Sequence, residues 1–223
     1  MKSSTAKLSL AALAALGGVA GFVHDTHAAV VINEVYGAGG GLTATQTYAY
    51  NTDFFELYNN GTSAIDLTGL SLRYASATGA FTTTGTTGVG VLPAFSLAPG
   101  QFFLVSGLTS TTYVGPALPA VDATSNISAS GTAGKVALYA SDGTTVLDLV
   151  AYGSTTTGFE GLGAAPTLTN TSSVFRTVTG VDTNNNNLDF STGTPTPQGV
   201  PEPTSLGLAA VGSALLLRRR RHG

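Results

Sequence analysis

The carboxylates Glu34 and Glu56 are the pair of side chains in this sequence that best suit chemistry, because both lie in short apolar segments. Two carboxylates that flank a glycosidic bond can act as the acid and the base or nucleophile of a glycoside hydrolase. The same two side chains can instead hydrogen-bond to neighbouring loops or strands near a sheet edge. The sequence therefore leaves two interpretations of the pair open, a catalytic role in glycoside hydrolysis and a structural role as hydrogen-bond acceptors.

Most other catalytic chemistry is excluded by missing side chains. The 223 residues include no Cys, and all three His (His24, His27 and His222) lie near the ends of the chain. Residues 29–200 thus contain neither a thiol nor an imidazole. This stretch cannot form Ser-His-Asp or Cys-His nucleophiles or the usual zinc sites.

Oxygen-bearing side chains alternate over residues 182–189, as they do in calcium-binding loops. The candidate ligands are Asp182, Asn184, Asn186 and Asp189. The segment lacks the central Gly and the closing bidentate Glu of an EF-hand loop. Since Asn and Asp also form turns readily, a polar turn between two short strands is the alternative. No other cofactor is expected.

Charge is distributed unevenly along the chain. Only three of the nine Lys and Arg (Arg73, Lys135 and Arg176) lie in residues 29–200, against ten of the twelve Asp and Glu, which gives this stretch a net charge of −7. A surface so poor in cations has little means of neutralising phosphates. We therefore expect no nucleic-acid partner.

The first 28 residues resemble a secretory signal peptide. Two Lys precede an apolar stretch over residues 8–23, and Thr26-His27-Ala28 has the small-x-small pattern that signal peptidase accepts. We predict cleavage between Ala28 and Ala29, and export of the remaining chain.

Residues 198–223 contain a second targeting segment. In it Pro201-Glu202-Pro203 precedes an apolar run over 204–217, which is followed by Arg218-Arg219-Arg220-Arg221. A helix over the apolar run would cover roughly 21 Å, short of the ~30 Å hydrocarbon core. The Arg run is expected to stay cytoplasmic, which leaves the preceding chain outside the inner membrane. This tail resembles the PEP-CTERM sorting signal of Gram-negative bacteria with exopolysaccharide biofilms. The resemblance implies transient residence in the inner membrane and an exosortase that cuts near Pro201-Glu202-Pro203.

Short segments rich in Val, Ile, Phe and Tyr recur through residues 29–200 between clusters of Gly, Asn, Ser and Pro. No stretch longer than about ten residues has the 3.6-residue spacing of a helix. Seven strands are predicted, over residues 30–36, 53–58, 70–74, 101–105, 135–140, 146–152 and 174–177. This number of strands favours an all-β antiparallel sandwich, flanked by the signal helix and the hydrophobic helix of the tail.

The clearest alternation lies on either side of Asp142-Gly143, a pair that suits a tight turn. Before it, Val136 and Leu138 face one side of the strand, and after it Asp148 faces opposite to the Leu on either side of it. We predict one hairpin over residues 135–152.

The middle of the chain resembles bacterial lamin tail domains, with the motifs in the same order. They are Val31-Ile32-Asn33-Glu34-Val35-Tyr36-Gly37, Asn51 to Gly61, Asp66 to Leu72, Leu97 to Val105, Gly134 to Leu138, Val150 to Gly153, and Asp182 through Phe190 to Pro197. The resemblance implies an immunoglobulin-like β-sandwich over residues 29–197. The family usually has Trp where this chain has Leu70, so that Phe54, Phe55, Phe102 or Phe103 is expected to replace the large buried aromatic.

The lamin-tail resemblance also bears on the carboxylate pair. Glu34 and Glu56 fall in the family's Asn-Glu and Phe-x-Glu-Leu motifs, and the family is not known for hydrolases. We therefore favour the structural role, and predict that Gln at either position lowers stability more than it affects any activity.

Together these patterns predict an exported, non-enzymatic structural or binding module at the cell surface or in the extracellular polysaccharide matrix. Two packed sheets would fix long polar loops (residues 37–51, 75–91 and 109–133) that present Thr, Asn and Tyr to a surface glycan or protein partner. Thr and Ser clusters in the loops are candidate sites for O-linked glycans. Signal peptidase and exosortase are the expected processing partners. The alternatives are an accessory module acting in trans with a secreted nuclease or phosphatase, and a divergent carboxylate-dependent glycoside hydrolase.

Overall fold

The computed structural model describes residues 29–39, 41, 45–82, 88–109 and 113–198. The predicted signal helix, the Pro201-Glu202-Pro203 motif, the apolar helix and the Arg218–Arg221 run lie outside these residues. Within the described part, no helix is long and apolar enough to cross a membrane.

The described residues form twelve strands and one short helix. In chain order they are β1 (Val30–Tyr36), β2 (Thr52–Asn59), β3 (Ile65–Asp66), β4 (Ser71–Ser76), β5 (Val89–Val91), β6 (Ser96–Leu97), β7 (Phe102–Thr109), β8 (Ala123–Thr124), β9 (Gly134–Tyr139), β10 (Val146–Tyr152), β11 (Ser173–Arg176), α1 (Asn186–Asp189) and β12 (Phe190–Gly193). All seven predicted strands are present. The unpredicted strands β3, β5, β6, β8 and β12 have two to four residues each.

Two larger sheets and one small sheet organise these strands. The first sheet has six strands in the order β12-β11-β1-β2-β7-β8, the second has four in the order β10-β9-β4-β5, and β3 pairs with β6. All pairs are antiparallel except β7 with β8, which is parallel. The all-β prediction with antiparallel sheets is confirmed, with this one parallel pair as an addition.

Apolar side chains fill the space between the two larger sheets. Ile32 and Leu57 from the six-stranded sheet and Leu72, Val136 and Leu138 from the four-stranded sheet are fully buried in one cluster. Burial of each such side chain contributes about 1.5–3 kcal/mol relative to exposure. The prediction that Val136 and Leu138 share one face is thus confirmed, and that face points into the core.

The predicted hairpin of β9 and β10 is confirmed, but the alternation within β10 is wrong. The register shifts between Val146 and Asp148, which is a β-bulge. As a result, Leu147 packs against the core while Asp148 is also buried and bonds to the six-stranded sheet. Gly143 has φ +69°, as the turn prediction required.

The position of the missing Trp is occupied by a smaller core residue. Leu70 is 8% exposed and belongs to the main core, as do Phe55 and Phe103. Phe54 belongs to a separate cluster on the outer face of the six-stranded sheet. Two of the four predicted replacements therefore supply aromatic volume to the core.

Loops cover part of the outer face of the six-stranded sheet. Tyr50, from the loop before β2, meets Phe54 edge-on with ring centroids 5.9 Å apart, and Phe54 stacks on Tyr36 at 5.6 Å. Leu118 and Val121, from the loop after β7, pack against the same cluster. Tyr50 belongs to one of the loops predicted to present Tyr to a partner, and its ring packs on the protein's own sheet.

Candidate functional site

Glu34 and Glu56 lie opposite each other on the central strands β1 and β2. Their relative exposures are 1% and 0%. Carboxylates this deeply buried need hydrogen-bond donors for their oxygens. The identity of those donors therefore decides what the pair can do.

Glu34 binds two other segments of the chain. Its Oε1 accepts hydrogen bonds from Ser173 Oγ at 2.5 Å and from the backbone N–H of Thr196 at 2.9 Å, and its Oε2 accepts one from Thr196 Oγ1 at 3.0 Å. Burial raises the pKa of the Glu34 carboxyl above its ordinary value, and these bonds partly oppose the shift. The side chain thus ties β11 and the end of the fold to β1.

Glu56 holds the next part of the same C-terminal segment. Its Oε1 accepts a bond from Asn33 Nδ2 at 3.0 Å, and its Oε2 accepts one from the backbone N–H of Gln198. The Gln198 side chain donates from Nε2 to Ala120 O at 2.8 Å and to Asp122 Oδ2 at 3.3 Å. We call residues 196–198 the C-terminal strap.

The carboxylate pair therefore binds the protein's own chain. Glu34 and Glu56 accept donors from the strap and from neighbouring strands, which are the kind of partners that the structural interpretation anticipated. A hydrolase would need such oxygens directed at a sugar and at a water molecule. The geometry therefore favours a structural role, in which Glu34 and Glu56 hold the C-terminal strap, over acid–base chemistry.

Arg176, at the end of β11, is the centre of a second buried polar group. Its Nη2 donates to both carboxylate oxygens of Asp148, at 3.1 and 2.9 Å, and its Nε donates to Ile32 O at 2.9 Å. Its Nη1 lies 3.4 Å from Asp182 Oδ1 and 3.5 Å from Asp189 Oδ2. We call Arg176, Asp148, Asp182 and Asp189 the arginine cluster.

The four calcium candidates do not all point to one place. Asp182 and Asp189 converge on the Arg176 guanidinium, and Asp189 also accepts bonds from Thr183 N at 2.8 Å and Thr183 Oγ1 at 2.6 Å. Asn186 turns towards β10, where its Oδ1 accepts a bond from Ala151 N at 3.0 Å. The fourth candidate, Asn184, has φ +53°. This arrangement favours the polar-turn alternative.

A different set of three carboxylates lies close together beside Arg176. One oxygen each of Asp148, Glu160 and Asp182 lies within 4.8 Å of the other two. Divalent cations favour such oxygens, but here Arg176 already supplies a positive charge and both oxygens of Asp148 bind it. Asp148 and Asp182 are thus accounted for by their ion pairs with Arg176, and Glu160 Oε2 accepts a hydrogen bond from Asn186 Nδ2 at 3.1 Å.

An open pocket of about 250 Å³ lies beside the arginine cluster. Val178, Val181 and Leu188 line it with apolar surface, and Asp189 is the one titratable residue of its lining. Because the Asp189 carboxylate is bound to Arg176 and Thr183, the pocket offers apolar contact area instead of acid–base chemistry.

Two acidic side chains are placed where ionisation is unfavourable. Burial raises the pKa of Asp53 to about 7, although backbone N–H groups of Ala129 and Gly39 bind its oxygens at 2.7 Å each. Burial, followed by the nearby charges of Asp148 and Asp182, raises the pKa of Glu160 to about 8. Both groups hold a proton in the folded protein at a pH where the unfolded chain has lost it.

These two pKa values predict that stability falls as pH rises from about 4.5 to 8. The folded state binds more protons than the unfolded state in this window, so the free energy of unfolding decreases with pH. Gln at position 160 is neutral at every pH, and we expect Glu160→Gln to flatten the decline. Urea unfolding of both proteins at a series of pH values measures this. Equal slopes for the two proteins would contradict the assignment to Glu160.

Sequence analysis did not single out Asp53, Glu160 or the Arg176–Asp148 pair as site residues. One signal was present, because Arg176 follows the apolar residues Val174 and Phe175 in a predicted strand. Arg is almost never fully buried without a partner, so this position required an acceptor. The identity of that acceptor could not be read from the sequence, since Asp148 lies 28 residues away.

Comparison with known proteins identifies a family and distant structural likenesses. The family model described as Lamin Tail Domain matches residues 24–154. The comparison with curated proteins finds no match. Among solved structures, the chain is similar to a DUF4876 family protein from Bacteroides thetaiotaomicron, with a TM-score of 0.48 and 13% identity over 74% of this chain and 70% of that one.

Proposed function

The chain belongs to the Lamin Tail Domain family, and on that premise we propose that it is an exported, non-enzymatic structural or binding module, sorted by its tail to the cell surface or the extracellular polysaccharide matrix. Domains of this family are non-catalytic and immunoglobulin-like. The binding of Glu34 and Glu56 to the chain's own strap agrees with a non-catalytic role.

The C-terminal strap is the observation that carries this proposal. Its last residue, Gln198, is bonded to Glu56, and Pro201 is the third residue after it. Three extended residues span at most about 10 Å, so an enzyme that cuts near Pro201-Glu202-Pro203 would act close to the six-stranded sheet. The strap lies entirely before the motif, and such a cut leaves its bonds to the domain in place.

The sorting step is tested with the double variant Pro201→Ala/Pro203→Ala in a Gram-negative host that carries an exosortase. We expect the unaltered chain to reach the surface without its tail, and the variant to stay in the inner membrane with residues 218–221 attached. Mass spectrometry of the surface and membrane fractions measures both ends of the chain.

The double variant Pro93→Ala/Pro99→Ala makes the same chemical change at exposed loop positions and is the matched control. It should be sorted like the unaltered chain. Recovery of Arg218–Arg221 in the surface fraction of the unaltered protein would overturn the sorting proposal, because the tail would then be a permanent part of the protein.

A further inference from the structure

An exposed group of aliphatic side chains surrounds the open pocket beside the arginine cluster. Val178, Val181 and Leu188 line the pocket and are 60%, 46% and 67% exposed. Leu162 lies nearby, because its N–H donates to Asn185 Oδ1 just before α1, and it is also exposed. Half of the large apolar side chains that are exposed among the described residues thus collect in one place. We call Leu162, Val178, Val181 and Leu188 the apolar patch.

The backbone beneath the apolar patch is held in place by hydrogen bonds. Val181 donates from its N–H to Val178 O at 3.0 Å, and Val181 O accepts a bond from Arg176 Nη1 at 2.8 Å. Between these two residues, Gly180 O accepts a bond from Asn60 Nδ2 at 2.8 Å. A surface that is already ordered loses little conformational entropy when a partner docks on it. The patch is therefore preorganised for binding.

The size of the pocket determines what can enter it. Its volume is about 250 Å³, and it is open to solvent. Sites for drug-sized ligands have volumes of about 300–1,000 Å³ and enclose most of the ligand. This pocket is smaller and more open, so it suits one aliphatic side chain that a larger partner presents. Contiguous apolar surface of this kind marks interaction sites on soluble proteins.

Negative charge lies directly behind the apolar patch. The arginine cluster holds three carboxylates and one guanidinium, so its formal charge is one minus three, or −2. Asp189, a member of this cluster, also lines the pocket, which places the charge well within the screening length of about 8 Å. The Arg176 side chain is completely buried. The two other cations of residues 29–200, Arg73 and Lys135, lie on strands of the four-stranded sheet.

This charge distribution selects the kind of partner. A partner with Lys or Arg beside its apolar group is attracted to the patch, whereas one with Asp or Glu there is repelled. A second copy of the chain would bring the same negative cluster to the interface. The charge therefore favours a basic partner over self-association through the patch.

We propose that the apolar patch docks a segment of another protein in which an aliphatic side chain is flanked by Lys or Arg. The aliphatic side chain enters the pocket between Val178, Val181 and Leu188, and its contact with them supplies the affinity. The flanking cations lie near the carboxylates of the arginine cluster and supply selectivity. Docking at the patch is independent of export and of the C-terminal strap.

The first test is titration of three fluorescein-labelled peptides with the full chain at one ionic strength, followed by fluorescence anisotropy. The probe has one Leu between two pairs of Lys. The other two peptides have Ser in place of the Leu, or Glu in place of each Lys. We expect saturable binding of the probe, and binding at least about tenfold weaker for either altered peptide. Absence of saturable binding by the probe, or equal affinity of either altered peptide, overturns the proposal.

The second test assigns the binding to the apolar patch. We expect Val178→Ser to weaken binding of the probe about tenfold, because the pocket loses apolar contact area. Val91→Ser is the matched control, since Val91 lies outside the patch on β5 and is 65% exposed against 60% for Val178. It should leave the affinity unchanged. If Val178→Ser and the unaltered chain bind the probe equally, the proposal is wrong.

A third measurement needs no variant. The methyl resonances of Val178, Val181 and Leu188 in the unaltered, isotope-labelled chain should shift with the same saturation curve as the anisotropy. Resonances that stay in place while the probe saturates the protein contradict docking at the patch. If they shift when the protein concentration alone is raised, a second copy occupies the patch, and the proposal is overturned.

Discussion

Replacing Arg176 by Met is expected to lower the free energy of unfolding by about 3–5 kcal/mol, because it leaves a buried carboxylate without its counter-charge. Asp148 accepts two bonds from Arg176 Nη2 and is completely buried as a side chain. The change also removes the donors to Ile32 O at 2.9 Å and Val181 O at 2.8 Å. Urea unfolding monitored by circular dichroism measures the loss.

A double variant separates the charge from the packing. Asp148→Asn removes the charge but keeps an oxygen to accept the bond from Ile32 N, which now binds Asp148 Oδ2 at 2.6 Å. We expect Arg176→Met/Asp148→Asn to be more stable than Arg176→Met alone. Asp66→Asn is the control, because Asp66 is exposed and its carboxylate accepts hydrogen bonds from Thr68. If Arg176→Met lowers the free energy of unfolding no more than Asp66→Asn does, the arginine cluster does not stabilise the fold.

Replacing Glu34 by Ala is expected to cost about 2–4 kcal/mol and to release the C-terminal strap. Hydrogen bonds to a charged group contribute about 1.5–3 kcal/mol each, and the raised pKa of buried Glu34 reduces their combined effect. The variant loses the acceptor for Ser173 Oγ and both acceptors for Thr196. Thr196 and Gln198 should then exchange their amide hydrogens much faster, and added protease should cut residues 196–198 much faster.

Glu34→Gln is the matched variant for this experiment. Its amide keeps one carbonyl oxygen as an acceptor, so its loss of stability and of strap protection should be smaller than that of Glu34→Ala. Urea unfolding, together with hydrogen exchange of the 194–198 segment, measures both effects. Unchanged exchange at Thr196 and Gln198 in Glu34→Ala would show that the strap is held by other contacts.

The sequence predicted the bounds of a strand well where the strand itself has a clear apolar pattern. The predicted bounds of β1 and β10 agree with the structure, because Val, Ile and Tyr cluster there between turn residues. The end of β7 was predicted at residue 105, but pairing of Thr52 with Thr109 extends it. β8 has two residues and depends on contact with β7, so no local pattern could reveal it.

The site depends on contacts that are distant in sequence. Ile32 N meets Asp148 across 116 residues, and Thr196 meets Glu34 across 162. A sequence indicates that a buried Glu or Arg needs a partner, but not which of ten carboxylates or many amides provides it. The sequence did not reveal either that Nε and Nη1 of the buried Arg73 have no hydrogen-bond partner, because this depends on which distant segments pack against β4.

The position at which Glu34 and Glu56 bind the C-terminal strap determines how the fold responds to tension on the chain. β12 is the last strand and an edge of the six-stranded sheet, where tension along the chain would peel the ladder open one bond at a time. The strap follows β12 and is bonded to the two central strands, β1 and β2. Tension on the tail is therefore taken up first at the middle of the sheet, by Glu34 and Glu56, before it reaches the weaker edge.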